Sequence, residues 1–434
     1  MTTTPACAKQ KMWLISGFVF LLLPLFLPQT SLAKYRIELI PSVSVGELFD
    51  DNIYLDSTNE ISDYITEVSP GLNLSVLSQH TTLELSYAPT FVWYADEDDN
   101  NTVRHLGNIT YGQDLSQHWK FDLTETYLKS EEPLETTEEI EGVRSTRNTY
   151  ERLYGSASLG YLFGPENVLT FGYRHSLLEN DDITLDDGML SMPFADMIYW
   201  FNVRNGFKVA YAYIDASFSR DDFFAPEDDY TGNAAGIRYI HRFTPHTTAS
   251  MGYDFTTRDF DGLTEDYHIH EGVVGLDHAF SPNFSISLEG GYFLVRNDYS
   301  DDQEGITYSA SLVKKFERGS ITIEGSGGWA EAYLEAERRG LTRYWMVGPS
   351  LEVQFSKPLF GYVGGFYRED VRDIDDREWT RWQGNCGLRW EFVKWLSLSV
   401  DYTYVERDDT VDIEDYKVNR VMLKLTAAPL FRWE

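Results

Sequence analysis

From Tyr35 onward, apolar and polar residues alternate one by one through segment after segment. Phe284, Ile286 and Leu288 alternate with Ser285, Ser287 and Glu289. Trp345, Val347, Leu351, Val353 and Phe355 alternate with Met346, Gly348, Ser350, Glu352 and Gln354. The same holds for Leu388, Trp390 and Phe392 against Gly387, Arg389 and Glu391, and for Leu396, Leu398, Val400, Tyr402 and Tyr404 against Ser397, Ser399, Asp401, Thr403 and Val405. A period of two over such lengths gives an extended strand one apolar and one polar face.

Short turn signals punctuate these segments at a spacing of about 40 residues. They are Ser78-Gln79-His80, Leu115-Ser116-Gln117, Gly164-Pro165-Glu166, Arg204-Asn205-Gly206, Thr244-Pro245-His246, Ser281-Pro282-Asn283, Glu317-Arg318-Gly319, Ser356-Lys357-Pro358 and Val393-Lys394-Trp395. Nine such turns join 18 strands. A strand before the first long connection (Tyr35 to Gly46) and one after the last (Tyr416 to Pro429) bring the expectation to about 20, within a range of 18–20. Alternation is least regular near Ile198 to Asn205 and near Phe360 to Arg368. A β-propeller also repeats at about 40 residues but packs four strands into each blade. Here each period holds two strands of about 10–14 residues, long enough to cross a membrane at a tilt.

The connections at the other strand ends are of a different kind. Residues 47–63, 95–102, 130–147, 178–195, 221–229, 259–266, 297–304, 332–340, 370–378 and 408–415 hold 46 of the 69 acidic residues and six of the lysines and arginines. One end therefore carries short turns and the other long acidic loops, as in outer-membrane barrels with short periplasmic turns and long extracellular loops. The expected fold is all-β: a closed antiparallel up-and-down transmembrane β-barrel in the outer membrane of a Gram-negative bacterium. An even strand number puts both termini on the periplasmic side.

The first 33 residues read as a separate element. Lys9 and Lys11 precede an apolar run from Trp13 to Leu27, and Ser31-Leu32-Ala33 supplies the small residues of a cleavage site. This is a secretory signal peptide with cleavage after Ala33, leaving residues 34–434 as one barrel domain. No later stretch is apolar over the roughly 20 residues that a spanning helix needs, and mean hydropathy is −0.35. Strands that meet lipid with every second residue fit that value. Removing Lys9 and Lys11 takes the net charge from −33 to −35, which excludes nucleic acid as a partner because its binding rests on neutralising phosphates. Aromatic residues make up 15% of the chain, too many for a disordered acidic protein and suited to barrel girdles. Cys386 is alone once Cys7 leaves with the signal, so no internal disulfide is expected; it sits in an alternating strand as a small apolar side chain.

The last strand carries Val421, Leu423 and Leu425, then Phe431 and Trp433. Outer-membrane barrels resemble one another in ending on an aromatic-terminated strand read by the barrel assembly machinery, an expected partner here; Glu434 after Trp433 departs from that pattern. Near the N-terminus, Pro41-Ser42-Val43-Ser44-Val45, Asp50-Asp51-Asn52-Ile53-Tyr54-Leu55 and Asp63-Tyr64-Ile65-Thr66-Glu67-Val68-Ser69-Pro70-Gly71-Leu72 resemble the opening of a family of outer-membrane β-barrel porins (type 2). Some members are linked to exopolysaccharide gene clusters. The resemblance covers roughly the first 60 mature residues and implies a pore or a polysaccharide-linked role.

No catalytic motif is present: there is no G-x-S-x-G elbow, H-E-x-x-H, Walker A or G-x-G-x-x-G, and no enzyme activity is expected. Gly325-Ser326-Gly327-Gly328 has no helix after it to cradle a phosphate. His268 and His270 share a strand face without further ligands at metal spacing. Acidic loops with Asp298, Asp301, Asp302 and Glu304, or Asp370, Asp373, Asp375 and Asp376, offer carboxylates suited to Ca²⁺ or Mg²⁺ and to bridging lipopolysaccharide phosphates; a solvated acidic rim is the plainer reading. Charges on the lipid face are costly, so the apolar face goes to lipid. That sends Lys120, Asp122, Arg238, Asp254, Glu289, Glu324, Glu352, Arg389, Glu391, Asp401 and Lys424 into the lumen as candidate pore-lining residues. The functional expectation is a porin-like channel for solutes or polysaccharide, with outer-membrane lipid around it. The rival is a structural or adhesive barrel acting through its acidic loops.

Overall fold

The computed structural model describes residues 35–134, 147–219, 229–262, 264–332, 340–372 and 377–433. The expected signal peptide, most of the expected loops 130–147, 221–229 and 332–340, and Asp373, Asp375 and Asp376 lie outside the described residues.

Each strand pairs antiparallel with the next, from β1 (Arg36–Asp50) to β20 (Tyr416–Ala427), and β20 returns to β1. The closure runs from Val43↔Ala427 to Asp50↔Arg420. A short β21 (Phe431–Trp433) continues along β1 at the same offset, from Leu39↔Phe431 to Ile37↔Trp433. It is the end of the last strand, interrupted around Pro429, which has no N–H to donate. The result is a closed barrel of twenty long strands with no free edge, the arrangement that alternating strands of this length reach when every backbone group must find a partner.

Faces follow from the period of two. At the long-loop end, Leu48 of β1 opposes Ile65 of β2 (Asp63–Leu77) on the inside, where both are buried. Phe49 opposes Tyr64 on the outside, with ring centroids 5.0 Å apart. Outward apolar side chains such as Val45, Phe171, Met251, Val274 and Leu388 remain exposed around the wall. Several outward tyrosine hydroxyls are capped by a polar neighbour: Tyr87 by His105 at 2.8 Å, Tyr211 by Asn233, Tyr253 by His270 and Tyr402 by Asn419 at 2.7 Å. His270, weighed above as a metal ligand, thus serves on the outer face.

Two boundaries differ most from the sequence expectation. The loop expected over 178–195 is only residues 181–186, because β7 (Val168–Asn180) and β8 (Asp187–Trp200) run further. β8 carries Pro193, which has no N–H for the ladder: the pairing to β9 (Asn205–Ser219) goes from Ser191↔Asp215 to Phe194↔Ala212 and skips the residues between. The turn expected at Arg204-Asn205-Gly206 lies at residues 201–204. There the Asn202 side-chain oxygen accepts from the N–H groups of Arg204 and Asn205, both at 2.9 Å, which starts β9 at Asn205.

Candidate functional site: the barrel lumen

The eleven charged residues expected on the polar face all lie on the inner one. On β5 (Trp119–Ser130), Lys120 and Asp122 share the inward parity of Leu128, and Lys120 Nζ sits 3.5 Å from Asp114. Arg238 on β10 (Tyr230–Thr244) reaches Glu289 at 2.7 Å and Asp254 at 3.7 Å, joining three strands from within. Arg389 meets Glu391 at 3.3 Å. Asp401 accepts the Tyr362 hydroxyl at 2.7 Å; Gly387 makes this possible, since a side chain there would collide with both groups. Asp122, Glu324, Glu352 and Lys424 enter no ion pair among the described residues. Two of these groups are largely solvent-exposed: the Lys120 and Arg389 side chains are 54% and 55% exposed.

The long-loop end of the lumen is filled instead. Immediately after β5 the chain turns inward, and Glu131 and Glu132 become buried. Glu131 takes Arg104 of β4 (Thr102–Asp114) at 2.6 Å, and Arg104 also holds Glu67 of β2 at 2.9 Å. Glu132 takes Arg420 of β20 at 2.8 Å and Arg147 at 3.3 Å, while Arg420 binds Asp50 of β1 at 2.8 Å. Burial alone would push the Glu132 carboxyl up. The Arg147, Arg420 and Arg104 guanidiniums outweigh it and hold Glu132 well below the usual carboxylate range.

The first long connection joins this cover. Ile53 is fully buried and its carbonyl accepts Arg147 Nε at 2.8 Å. Asn52 donates to the carbonyls of Asp56 and Lys417. Leu55 adopts the left-handed φ of 56°, a costly conformation for a bulky side chain. It packs with Leu134, Val405, Tyr416 and Val418. On the opposite wall, Ile214, Phe218, Tyr230, Tyr267, Ile269 and Phe293 form an apolar inner cluster. Trp329 and Glu331 at the end of β15 (Gly319–Ala332) fold over it. Glu331 binds Arg258 at 2.6 Å and the Tyr267 hydroxyl at 2.7 Å. Gly328 permits this bend with a φ of 154°.

Among the described residues, lumen-facing charges toward the short turns are therefore solvent-exposed, and those toward the long loops are buried beneath the chain's own segments.

No family model and no curated protein matches this chain. Solved structures do. The siderophore receptor PirA from Pseudomonas aeruginosa is 8% identical with a TM-score of 0.51, over 92% of this chain and 81% of that one. OccK2 (OpdF) from Pseudomonas aeruginosa is 10% identical with a TM-score of 0.44, over 91% and 98%. OccAB4 from Acinetobacter baumannii is 10% identical with a TM-score of 0.40, over 91% and 98%. The likeness to PirA is one of fold and agrees with the large closed barrel described above.

Sequence reasoning missed the residues of the cover: Glu67, Arg104, Glu131, Glu132, Arg147 and Arg420. It assigned 130–147 to a solvated acidic loop, whereas Glu131 to Leu134 and Arg147 lie inside the lumen. The signal available was parity, since Arg420 shares the inward face with Met422 and Lys424. Of the acidic residues considered for Ca²⁺ or Mg²⁺, Asp370 is engaged by Arg368 at 2.7 Å, and Glu304 faces Tyr292 on the outer wall.

Proposed function

We propose that this chain is a solute channel of a Gram-negative outer membrane, resting with its outer end shut by its own inward-folded segments. The observation that carries this reading is the contrast along the lumen. Lys120 and Arg389 are more than half exposed at one end, whereas Arg147, Asp50 and Asp409 are 1%, 0% and 0% exposed at the other. A wide barrel leaves an aqueous interior unless something fills it. Here the filling is held by ion pairs rather than by strand pairing, so it can move without breaking the wall. A barrel serving only its outer loops has no use for a hydrated charged interior ending in such a cover.

In this reading the short turns face the periplasm, cleavage follows Ala33, the capped tyrosines meet lipopolysaccharide, and Phe431 and Trp433 guide assembly. Passage of polysaccharide is the finer form of the proposal. It draws support from the resemblance of the N-terminal segments, because Asp50 and Asn52 to Leu55 belong to the cover. Planar-bilayer recording of the refolded protein tests the reading. Low, infrequent conductance in the wild type and large steady steps in Glu132→Gln are expected; a non-conducting barrel in both would overturn it.

A further inference from the structure

Four lumen-facing side chains stand in one row across the last four strands. Arg368 on β17 (Leu359–Arg372) opposes Arg381 on β18 (Arg377–Val393), Arg381 opposes Arg407 on β19 (Leu396–Asp409), and Arg407 opposes Tyr416 of β20. Like charges directly opposite one another on neighbouring strands are unfavourable. Two of the arginines are neutralised. Arg368 holds Asp370 through two nitrogens, at 2.8 and 2.7 Å. Arg407 holds Asp409 at 2.7 Å and Glu414 at 3.3 Å, and Arg377 shares both of those carboxylates.

Arg381 has no carboxylate partner among the described residues. Its guanidinium lies 4.9 Å from the Phe366 ring centre. Its Nε is buried without a hydrogen-bond partner, and so is the hydroxyl of Tyr416 two strands away in the same row. Tyr416 is 4% exposed. Buried polar groups are nearly always hydrogen bonded, and an exception calls for a missing water, ion or ligand. A guanidinium only donates, and it does so in a planar fork that fits a carboxylate. The row supplies a surplus of positive charge, a guanidinium with an unpartnered Nε and an unpartnered hydroxyl, with no carboxylate between them among the described residues.

We propose that Arg381 and Tyr416 form a binding site for the carboxylate of a small organic acid. The fork grips the two oxygens and the phenol donates to one of them, while the ligand's carbon skeleton meets Phe366 and the apolar group around Tyr416. That group includes Leu55 and Leu134, both from the segments that close the lumen. The site is therefore reached from the open half as these segments shift, and binding competes with closure. This inference uses the cover described above but does not require that the barrel conduct.

The test is calorimetric titration of the full-length protein in detergent micelles with benzoate, with glucose and inorganic phosphate as comparisons. Benzoate binding to the wild type is expected, and tighter binding to Glu132→Gln, whose cover is loosened. A hydrogen bond to a charged group is worth about a tenfold change in affinity or more; Arg381→Gln should lose at least that, and Tyr416→Phe a smaller part with its packing kept. Tyr416→Phe serves as the probe if Arg381→Gln does not refold, as judged by heat-dependent gel mobility. Absence of benzoate binding in both the wild type and Glu132→Gln overturns the site. So does unchanged binding in Arg381→Gln, or, if that variant is lost, in Tyr416→Phe. Phosphate bound as tightly as benzoate overturns the carboxylate assignment.

Discussion

Glu132 receives the Arg420 guanidinium at 2.8 Å across 288 positions of sequence. The contact ties the segment that turns inward after β5 to the last strand of the barrel. Arg420 also binds Asp50 on β1, so this one guanidinium bridges the closure between β20 and β1 and the cover of the lumen. Asp50 and Glu132 would repel each other without it.

Removing one partner should open the cover rather than unfold the wall. Breaking a buried ion pair costs about 3–5 kcal/mol because the remaining charge is left unpaired. Strand pairing is untouched by such a change. Arg420→Ala should therefore keep the heat-dependent gel shift of a folded barrel and raise single-channel conductance several-fold. Conductance equal to that of the wild type would show that the apolar contacts of Leu55 and Leu134 suffice to hold the cover.

The same pair fixes a pH response. Glu132 is held well below the ordinary glutamate value of 4.5 by its arginines. A carboxylate depressed in the folded state contributes stability above its unfolded value, and that contribution is lost as pH falls through the folded value. The cover should thus stay shut from neutral pH down to about 4.5 and loosen only in stronger acid. Recordings at stepped pH check this; opening between pH 7 and 5 would place the controlling charge elsewhere.

The wall was legible in the sequence and the cover was not. Alternation gave the inward side of Arg238, Glu289 and Asp401 because each lies mid-strand between apolar neighbours. It gave the strand number because turn signals survive at one end. It misplaced the turn at Asn202, where a side chain bonding to backbone N–H groups outweighed the Asn205-Gly206 pair. Glu131 and Glu132 read as solvated acids because composition alone cannot show that Arg104, Arg147 and Arg420, distant in sequence, converge on them. The segments that carry the family resemblance, Asp50 to Leu55 and Asp63 to Glu67, prove to supply Asp50, Ile53, Leu55 and Glu67 to that same layer.

Cys386 reports the register directly. It opposes Val363 and Tyr402 on the outer face, and its thiol is exposed there. In proteoliposomes a lipid-soluble maleimide should label it quickly and a charged, bulky one slowly. Fast labelling by the charged reagent would mean a one-residue slip, which moves every side chain of the strand to the other face.

Gly328→Ala tests the second half of the cover. A φ of 154° is hard for any residue with a Cβ, and the added atom would press on the Thr307 side chain. Backbone strain of this kind costs on the order of 1–3 kcal/mol. Relief by straightening β15 would withdraw Trp329 from Glu271 and Glu331 from Arg258. A red-shifted tryptophan emission with an otherwise intact barrel is expected; an unshifted spectrum would show that the bend does not depend on the glycine.

Ion selectivity follows from which lumen charges are left unpaired. In the open half, Lys120, Arg238 and Arg389 each have a carboxylate partner. Asp122, Glu324 and Glu352 have no base, against Lys424 as the one free cation of the eleven among the described residues. A passage lined by an excess of one sign concentrates the opposite ion, so potassium should pass more readily than chloride. The effect should fade with salt, since the Debye length falls from about 30 Å at 0.01 M to about 3 Å at 1 M. Reversal potentials across a KCl gradient measure it, in Arg420→Ala if the wild type stays shut. Replacing Asp122, Glu324 and Glu352 together by their amides should abolish the preference at low salt. Selectivity for chloride in the unmodified lumen would mean instead that the unpaired guanidinium of Arg381 governs the narrowest part of the path.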